Sequence, residues 1–327
     1  MNILVFGKDG QLGKAFKTVF DASKTGKLNH VRYAGRAECD LFNSDAIAEL
    51  LNQIRPDLLI NAAAYTAVDK AETEVDLAYA INAKAPEVMA VYAKRNGATF
   101  LHYSTDYVFD GSKKSPYVEC DVRNPLSIYG KSKVAGEEAI EETFANLPAN
   151  SSAKFAILRS SWVYGDGSNF IRTILRLAKE RETLKVIADQ HGTPTRAEWL
   201  AEVSLDLAFT EGGQSKPFPS GIYHALPLGE TSWHALACYA VQVATGAGAA
   251  LKLRPHAIEA IPATDYPLPA PRPMNSCMAR GAEASLDKVL NKSLGDLGNM
   301  TKSPLLEQSW ESQVAAYVQD LVAQKII

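Results

Sequence analysis

Short apolar runs alternate with longer amphipathic stretches along the first half of the chain. Each run has three to five residues, which suits a buried strand, and the intervening stretches have helical length. The predicted strands lie at 2–6, 30–34, 58–60 and 99–103, and the predicted helices at 14–20, 46–54 and 75–96. This alternation predicts an α/β fold, a Rossmann-like doubly wound parallel sheet with helices on both faces.

The second half of the chain continues the pattern less regularly. Predicted strands lie at 155–159, 184–188 and 221–226, and predicted helices at 129–144, 170–179, 198–209, 232–244 and 305–323. Since 327 residues exceed one typical domain, a second, smaller substrate-binding domain is expected. We predict a NAD(P)-binding Rossmann domain at 1–165 with return segments at about 196–245. The substrate-binding domain would hold 166–195 and 246–327.

A glycine-rich turn follows the first predicted strand directly. It reads Gly7-Lys8-Asp9-Gly10-Gln11-Leu12-Gly13 and leads into a predicted helix. Such glycines let the backbone turn tightly and approach a pyrophosphate, whose charge then faces the helix N-terminus. The turn therefore predicts a dinucleotide site that includes Gly7, Gly10, Gln11, Leu12 and Gly13.

The end of the second predicted strand indicates which dinucleotide binds. Many NAD-binding folds place an acid here for the ribose 2′-hydroxyl, but this chain has Gly35 and Arg36. A guanidinium can pair with a 2′-phosphate, so we predict NADPH, with NADH as the second choice. Asp40 and Leu41 are expected near the adenine.

Small residues follow the third predicted strand. The segment Ala62-Ala63-Ala64-Tyr65 would let a flat cofactor lie against the backbone at the edge where such sheets bind ligands. Ala63, Ala64 and Tyr65 are therefore predicted cofactor contacts.

A hydroxyl and a Tyr-Lys pair indicate proton chemistry at the same edge. Thr105 ends the fourth predicted strand, and Tyr129 and Lys133 lie four residues apart on one helix face. An ammonium beside Tyr129 would lower the pKa of the phenol. Together these three residues could move a proton on a carbonyl oxygen while a hydride reaches its carbon.

Composition removes several other classes of function. The net charge of −3 gives no reason to expect nucleic acid or an anionic membrane as partner. The four cysteines lie far apart without a Cys-x-x-Cys pair, which fits a reducing compartment and disfavours a zinc site. We found no signal peptide or membrane span and predict a cytoplasmic protein.

Several longer motifs resemble the extended short-chain dehydrogenase/reductases. They are the glycine turn, Asn61-Ala62-Ala63-Ala64, Ser104-Thr105-Asp106-Tyr107-Val108-Phe109-Asp110-Gly111 and Tyr129-Gly130-Lys131-Ser132-Lys133. Within this superfamily, Thr66–Glu72, Ser161–Tyr164, Asp189–Thr195 and Arg272–Ser276 resemble the dTDP-4-dehydrorhamnose reductase family.

The resemblance implies reduction of a nucleotide-sugar ketone. Its substrate would be dTDP-4-dehydro-β-L-rhamnose, reduced at C4 to dTDP-L-rhamnose. Tyr129 would give the proton, and Lys133 would bind the nicotinamide ribose. Thr105, Asp106 and Trp162 would lie on the sugar side, and Arg272 and Asn275 on the nucleotide side.

The same resemblance bears on whether the chain binds a metal ion and forms a subunit contact. Some members bind Mg²⁺ through carboxylates at a contact that includes the first helix. Here that helix begins Lys14-Ala15-Phe16-Lys17 without an acid, so we predict no metal. A homodimer is still possible at this point, although a dimer contact through carboxylates of the first helix is disfavoured.

Two alternatives remain at this point. One is another nucleotide-sugar enzyme of the superfamily, such as an epimerase/reductase or a dehydratase. A dehydratase would need an acidic pair after Thr105, whereas Asp106-Tyr107 follows here. The other is a non-catalytic regulatory subunit with this fold, which the intact Thr105, Tyr129 and Lys133 disfavour.

Overall fold

A six-stranded parallel sheet forms the centre of the chain. The computed structural model describes residues 1–148, 150–280 and 303–327. The strand order is β10-β5-β4-β3-β1-β2, and this sheet confirms the predicted α/β, Rossmann-like class. Its strands are β1 Asn2–Phe6, β2 His30–Ala34, β3 Leu58–Asn61, β4 Thr99–Thr105, β5 Lys154–Ser160 and β10 Gly221–His224. Shorter strands are β6 Val163–Tyr164, β7 Leu184–Ile187, β8 His191–Gly192, β9 Thr195–Arg196, β11 Thr231–Ser232 and β12 Ile258–Ile261.

Helices cover both faces of this sheet. The helices of the described residues, on the sheet and elsewhere, are α1 Gln11–Ala22, α2 Lys24–Leu28, α3 Ser44–Ile54, α4 Val68–Ala71, α5 Val75–Tyr79, α6 Ala85–Asn96, α7 Ile128–Phe144, α8 Phe170–Glu180, α9 Ala197–Ala208, α10 Trp233–Gly246 and α11 Trp310–Ala323. Ile3 and Val5 face the core with α1 and α9, whereas Leu4 and Phe6 face the core with α3, α6 and α7. Successive side chains of a strand point to opposite faces, so β1 is apolar from Ile3 to Phe6 because both of its faces are covered there.

A second core lies beside the sheet domain. Apolar residues of α8, α10 and α11 pack there with those of β7 and β12, which pair in parallel. The predicted return segment of 196–245 thus combines α9 and β10, which pack with the sheet, with α10, which packs in the second core. We propose that α10 belongs to the substrate-binding domain. Residues 281–302 of that predicted domain lie outside the described part of the chain.

The predicted helix 75–96 contains one wider turn. α5 and α6 are joined by a π-helical turn at Ala80–Lys84. The side chain of Asn82 in this turn accepts from the backbone N–H of Tyr65 at 2.9 Å and donates to Ser132 Oγ at 3.0 Å. The wider turn therefore fixes the loop after β3 to helix α7, close to the predicted active residues.

Candidate active site

A cavity of about 610 Å³ opens along the carboxyl ends of the sheet strands. Parallel α/β sheets bind their ligands at this edge. Most of the predicted site residues line it: Gly7, Gly10, Gln11, Leu12, Arg36, Asp40, Leu41, Ala63, Ala64, Thr105, Asp106, Tyr129, Lys133 and Trp162. Residues from β1 to β5 thus meet in one cleft, although they are spread over more than 150 positions in sequence.

The glycine turn is shaped by close backbone contacts. Gly7 has a φ of +85°, and a Cβ there would lie 2.7 Å from the backbone nitrogen of Ala63. Gly13 does not line the cavity; a Cβ on it would lie 2.0 Å from the carbonyl oxygen of Gly7. Its role in this structure is therefore to let α1 pack closely against the turn.

A substitution at Gly13 should disturb the turn more than one at Gly10. We expect Gly13→Ala to lower the free energy of unfolding by about 2 kcal/mol, since the methyl group would overlap backbone. A Cβ on Gly10 would lie 3.4 Å from Gly7 O, which is ordinary contact. Chemical denaturation of both variants without cofactor tests this, and equal stability of the two would contradict it.

The end of β2 presents an exposed cation to the cavity. Arg36 is 84% exposed and lies 4.0 Å from Asp40, so it remains open to an anionic group. The nearby acid Glu38 is already engaged, because it pairs with Lys8 and accepts from the Gly35 N–H at 2.8 Å. This arrangement fits a 2′-phosphate better than a bare ribose hydroxyl.

Tyr129 and Thr105 meet on the floor of the cavity. Ser127 caps α7 by accepting from the Gly130 N–H at 3.2 Å, and this brings Tyr129 into the first turn. The side chain of Thr105 lies next to the phenol of Tyr129 and acts to lower its pKa, and Thr105 donates to Asp106 Oδ1 at 2.9 Å. Burial raises the pKa of Tyr129 to about 12 and that of Asp106 to about 6. Tyr129 is thus protonated at neutral pH.

The side-chain nitrogen of Lys133 is bonded to residues of β4, which corrects the sequence-based expectation about the phenol. Its Nζ donates to the carbonyl oxygen of Tyr103 at 2.6 Å and lies 3.2 Å from His102 Nε2. We expected an ammonium to lower the pKa of Tyr129. In this structure burial raises that pKa, and burial also lowers the pKa of Lys133 to about 8.

Three predicted contact residues have their side chains bonded elsewhere. Tyr65 donates its hydroxyl to Glu74 at 2.6 Å. Both terminal nitrogens of Arg272 donate to Asp69 at 2.8 Å. Asn275 donates to the carbonyl oxygens of residues 113 and 115 at 2.7 and 3.2 Å. None of the three lines the cavity in this state.

The structure adds an aromatic residue that the sequence did not indicate. Trp233 stacks on Trp162 with ring centroids 3.6 Å apart and planes 13° apart, and both line the cavity. Gly192 makes room for the pair, since a Cβ there would lie 2.6 Å from the Trp162 ring. The two residues are far apart in sequence, so no spacing could have revealed their contact.

The described residues contain no group of three or more His, Cys, Asp or Glu side chains that could hold a metal ion. The first turn of α1 carries no acid. In the same part of the chain, no helix combines the length and apolar character that crossing a membrane requires.

The glycine turn, the strand ends and the Tyr129–Lys133 pair are typical of dinucleotide-dependent reductases of the short-chain superfamily. Comparison with known proteins narrows this class. The family model described as the RmlD substrate binding domain matches residues 1–294. A protein of Salmonella typhimurium named dTDP-4-dehydrorhamnose reductase is 44% identical over 278 residues, which are 84% of this chain and 88% of that protein.

Solved structures agree with this match. A dTDP-4-dehydrorhamnose reductase of Clostridium acetobutylicum is 33% identical with a TM-score of 0.80, covering 99% of this chain and all of that one (100%). A Bacillus anthracis dTDP-4-dehydrorhamnose reductase in complex with NADP is 30% identical with a TM-score of 0.78, covering 98% and 99%. The chain belongs to the dTDP-4-dehydrorhamnose reductase family.

Proposed function

We propose that the protein reduces the C4 ketone of dTDP-4-dehydro-β-L-rhamnose to dTDP-L-rhamnose, the last step in the synthesis of that sugar donor. NADPH is the proposed cofactor. The observation that carries the proposal is the meeting of Thr105, Tyr129 and Lys133 in one cleft with the glycine turn, in a chain of this family.

The proposed chemistry needs a hydride and a proton. Bound NADPH supplies the hydride to C4. Tyr129 delivers the proton to the C4 oxygen, and its pKa of about 12 keeps it in the acid form at neutral pH. Thr105, once its hydroxyl turns away from Asp106, donates together with Tyr129 to the oxygen where negative charge develops.

Lys133 is suited to restore the proton on Tyr129. Burial lowers its pKa to about 8, so its ammonium gives up a proton more easily than an exposed lysine would. After Tyr129 has protonated the product, Lys133 can pass a proton to the tyrosinate and regain one from solvent. Lys133 is also the proposed contact to the nicotinamide ribose.

The proposed substrate contacts lie on the far side of the cleft. Trp162, backed by Trp233, offers a flat apolar wall against which a sugar can pack. Arg272 is proposed to bind the diphosphate. Because Arg272 is paired with Asp69, the substrate would have to compete with that carboxylate.

Replacing Arg36 should affect the binding of NADPH and NADH differently. We expect Arg36→Ala to raise the NADPH dissociation constant about tenfold and to leave that of NADH nearly unchanged, since only NADPH carries a 2′-phosphate. Arg32→Ala, an equal charge change on the exposed side of β2, is the control. Equal losses for both dinucleotides would mean that Arg36 does not bind the phosphate.

A turnover assay on the purified chain tests the proposed function. We expect dTDP-4-dehydro-L-rhamnose to be converted to dTDP-L-rhamnose at the expense of NADPH, with no other protein and no metal added. A non-catalytic regulatory subunit would give no product under these conditions. A different nucleotide-sugar enzyme would bind NADPH but leave this ketone unreduced.

The proposal extends to the location and the assembly of the protein. We propose a cytoplasmic enzyme, from the cofactor, the separated cysteines and the low net charge. A homodimer remains compatible with the family, and sedimentation of the purified chain would test it. The same low net charge supports the absence of a nucleic-acid partner.

A further inference from the structure

Three buried polar side chains lie together beneath the cleft. Asn61 ends β3, His102 lies opposite it in the β3–β4 register, and Lys133 reaches them from α7. They are 0%, 1% and 1% exposed. Because they are almost inaccessible to water, each donor and acceptor among them needs a partner in the protein.

The hydrogen bonds of Asn61 determine which nitrogen of His102 carries the proton. The Ala63 N–H donates to Asn61 Oδ1 at 3.2 Å, so the amide Nδ2 faces His102 Nδ1 at 3.1 Å. An amide nitrogen only donates, and Nδ1 must therefore accept. Burial keeps the pKa of His102 well below its usual value. The neutral ring then carries its single proton on Nε2.

That proton points at Lys133. His102 Nε2 lies 3.2 Å from Lys133 Nζ, and Nζ already donates to the carbonyl oxygen of Tyr103 at 2.6 Å. An ammonium has three donors and no acceptor, so one of its N–H groups would face the Nε2–H of His102 and repel it. A neutral amine has a lone pair that accepts from Nε2.

We propose that Asn61 and His102 are positioning residues that fix one tautomer of the imidazole and thereby favour the uncharged amine of Lys133 over its ammonium form until the dinucleotide binds. The inference rests on the proposed function only for the identity of the dinucleotide. When Lys133 leaves His102 to bind the ribose hydroxyls, the amine takes one proton from solvent and becomes an ammonium.

The other ionisable groups around Lys133 leave this arrangement intact. Tyr129 and Glu137 face it from its own helix, and Asp106 follows β4. Glu137 raises the pKa of Lys133, but burial outweighs this effect and lowers the pKa to about 8. Glu137 is already bonded to Arg159 at 2.6 Å.

Proton uptake on cofactor binding is the measurable consequence. We would titrate the full chain with NADPH by calorimetry in two buffers of different ionisation enthalpy, near pH 8. We expect uptake of about half a proton per site, since about half of the free enzyme is uncharged at its pKa. Affinity should fall as pH rises through the free-enzyme pKa of Lys133. NADH, which lacks the 2′-phosphate, should give the same proton count.

Two variants place a hydrogen-bond acceptor instead of a donor opposite Lys133 and leave Lys133 itself unchanged. In Asn61→Asp, one carboxylate oxygen keeps the Ala63 N–H and the other accepts from Nδ1, so Nε2 becomes an acceptor for an ammonium. His102→Gln can turn its amide oxygen towards Lys133 and has a similar effect. We expect uptake to fall close to zero in Asn61→Asp and by about half or more in His102→Gln.

Ser204→Ala is the matched control. It removes a buried 2.6 Å hydrogen bond to the Tyr103 hydroxyl, on the same strand as His102. The proton count should stay at the wild-type value. If Ser204→Ala loses the uptake as well, general loosening of β4 explains the effect and the proposal is wrong.

The remaining outcomes decide the proposal. No uptake by the wild type, or wild-type uptake in Asn61→Asp, would overturn it. If Asn61→Asp does not fold, wild-type uptake in His102→Gln would overturn it instead. NADPH binding with proton uptake but without ketone reduction would reject the proposed function and leave this inference standing. Ketone reduction without proton uptake would reject this inference and leave the proposed function standing.

Discussion

Replacing Tyr129 with phenylalanine is expected to lower kcat by about 10³-fold, the usual contribution of a general acid. The ring would still fill its buried site, so the dissociation constant of NADPH should change by less than about twofold. The hydroxyl alone is lost, and with it the proton for the C4 oxygen. Steady-state turnover and cofactor titration on the same preparation measure the two effects.

Tyr107→Phe is the matched control for this substitution. Tyr107 packs edge-on against Tyr129 with ring centroids 5.4 Å apart and also lines the cavity. Burial raises its pKa even further than that of Tyr129, and it is the backbone N–H of Tyr107, which the substitution keeps, that donates to Thr105 Oγ1 at 3.3 Å. A Tyr129→Phe variant with wild-type kcat, or an equal loss in Tyr107→Phe, would remove Tyr129 from its proposed role.

Replacing Glu137 with leucine is expected to lower the free energy of unfolding by about 4 kcal/mol. Glu137 and Arg159 have side chains 0% and 1% exposed, and two hydrogen bonds of 2.9 and 2.6 Å join them. Arg123 adds a third contact to Glu137 at 2.8 Å. The substitution leaves the Arg159 charge buried without its carboxylate, which costs more than the pair itself contributes. Chemical denaturation measures the loss.

Glu141→Leu provides the control one helical turn further along α7. Glu141 also pairs with Arg123, but its side chain is 41% exposed, so we expect a change within about 1 kcal/mol. Burial alone would raise the pKa of Glu137, but Arg159 and Arg123 hold it below its usual value. Its stabilisation is therefore present above the unfolded-state pKa and is lost as pH falls. Similar losses in both variants would contradict this account.

Local sequence patterns were sufficient to predict the sheet and the residues at its edge. β1 and β2 have the predicted bounds, and β3, β4 and β5 differ from theirs by one or two residues at an end. Except for β2, which has exposed residues, these strands are largely buried because helices cover both of their faces, so each run is visible in sequence. The turn Gly7–Gly13 and the Tyr129–Lys133 spacing each lie within a few neighbouring residues, so they can also be recognised from the sequence.

Contacts between distant segments could not be predicted in this way. Trp233 meets Trp162 only because α10 packs beside β6, and Asp69 meets Arg272 across about 200 positions. The direction of Lys133 depends on buried acceptors of β4, which no motif indicates. Burial and partner choice are properties of the folded chain, and they determined the pKa values that sequence reasoning misjudged.

The most direct test of the account follows the hydrogen atoms. We would incubate the purified chain with dTDP-4-dehydro-L-rhamnose and NADPH that carries deuterium at both nicotinamide C4 positions, and analyse the product by NMR. The account predicts dTDP-L-rhamnose with one deuterium at C4 of the sugar and a solvent-exchangeable hydrogen on its oxygen. Unreduced ketone, or product without deuterium at C4, would contradict it.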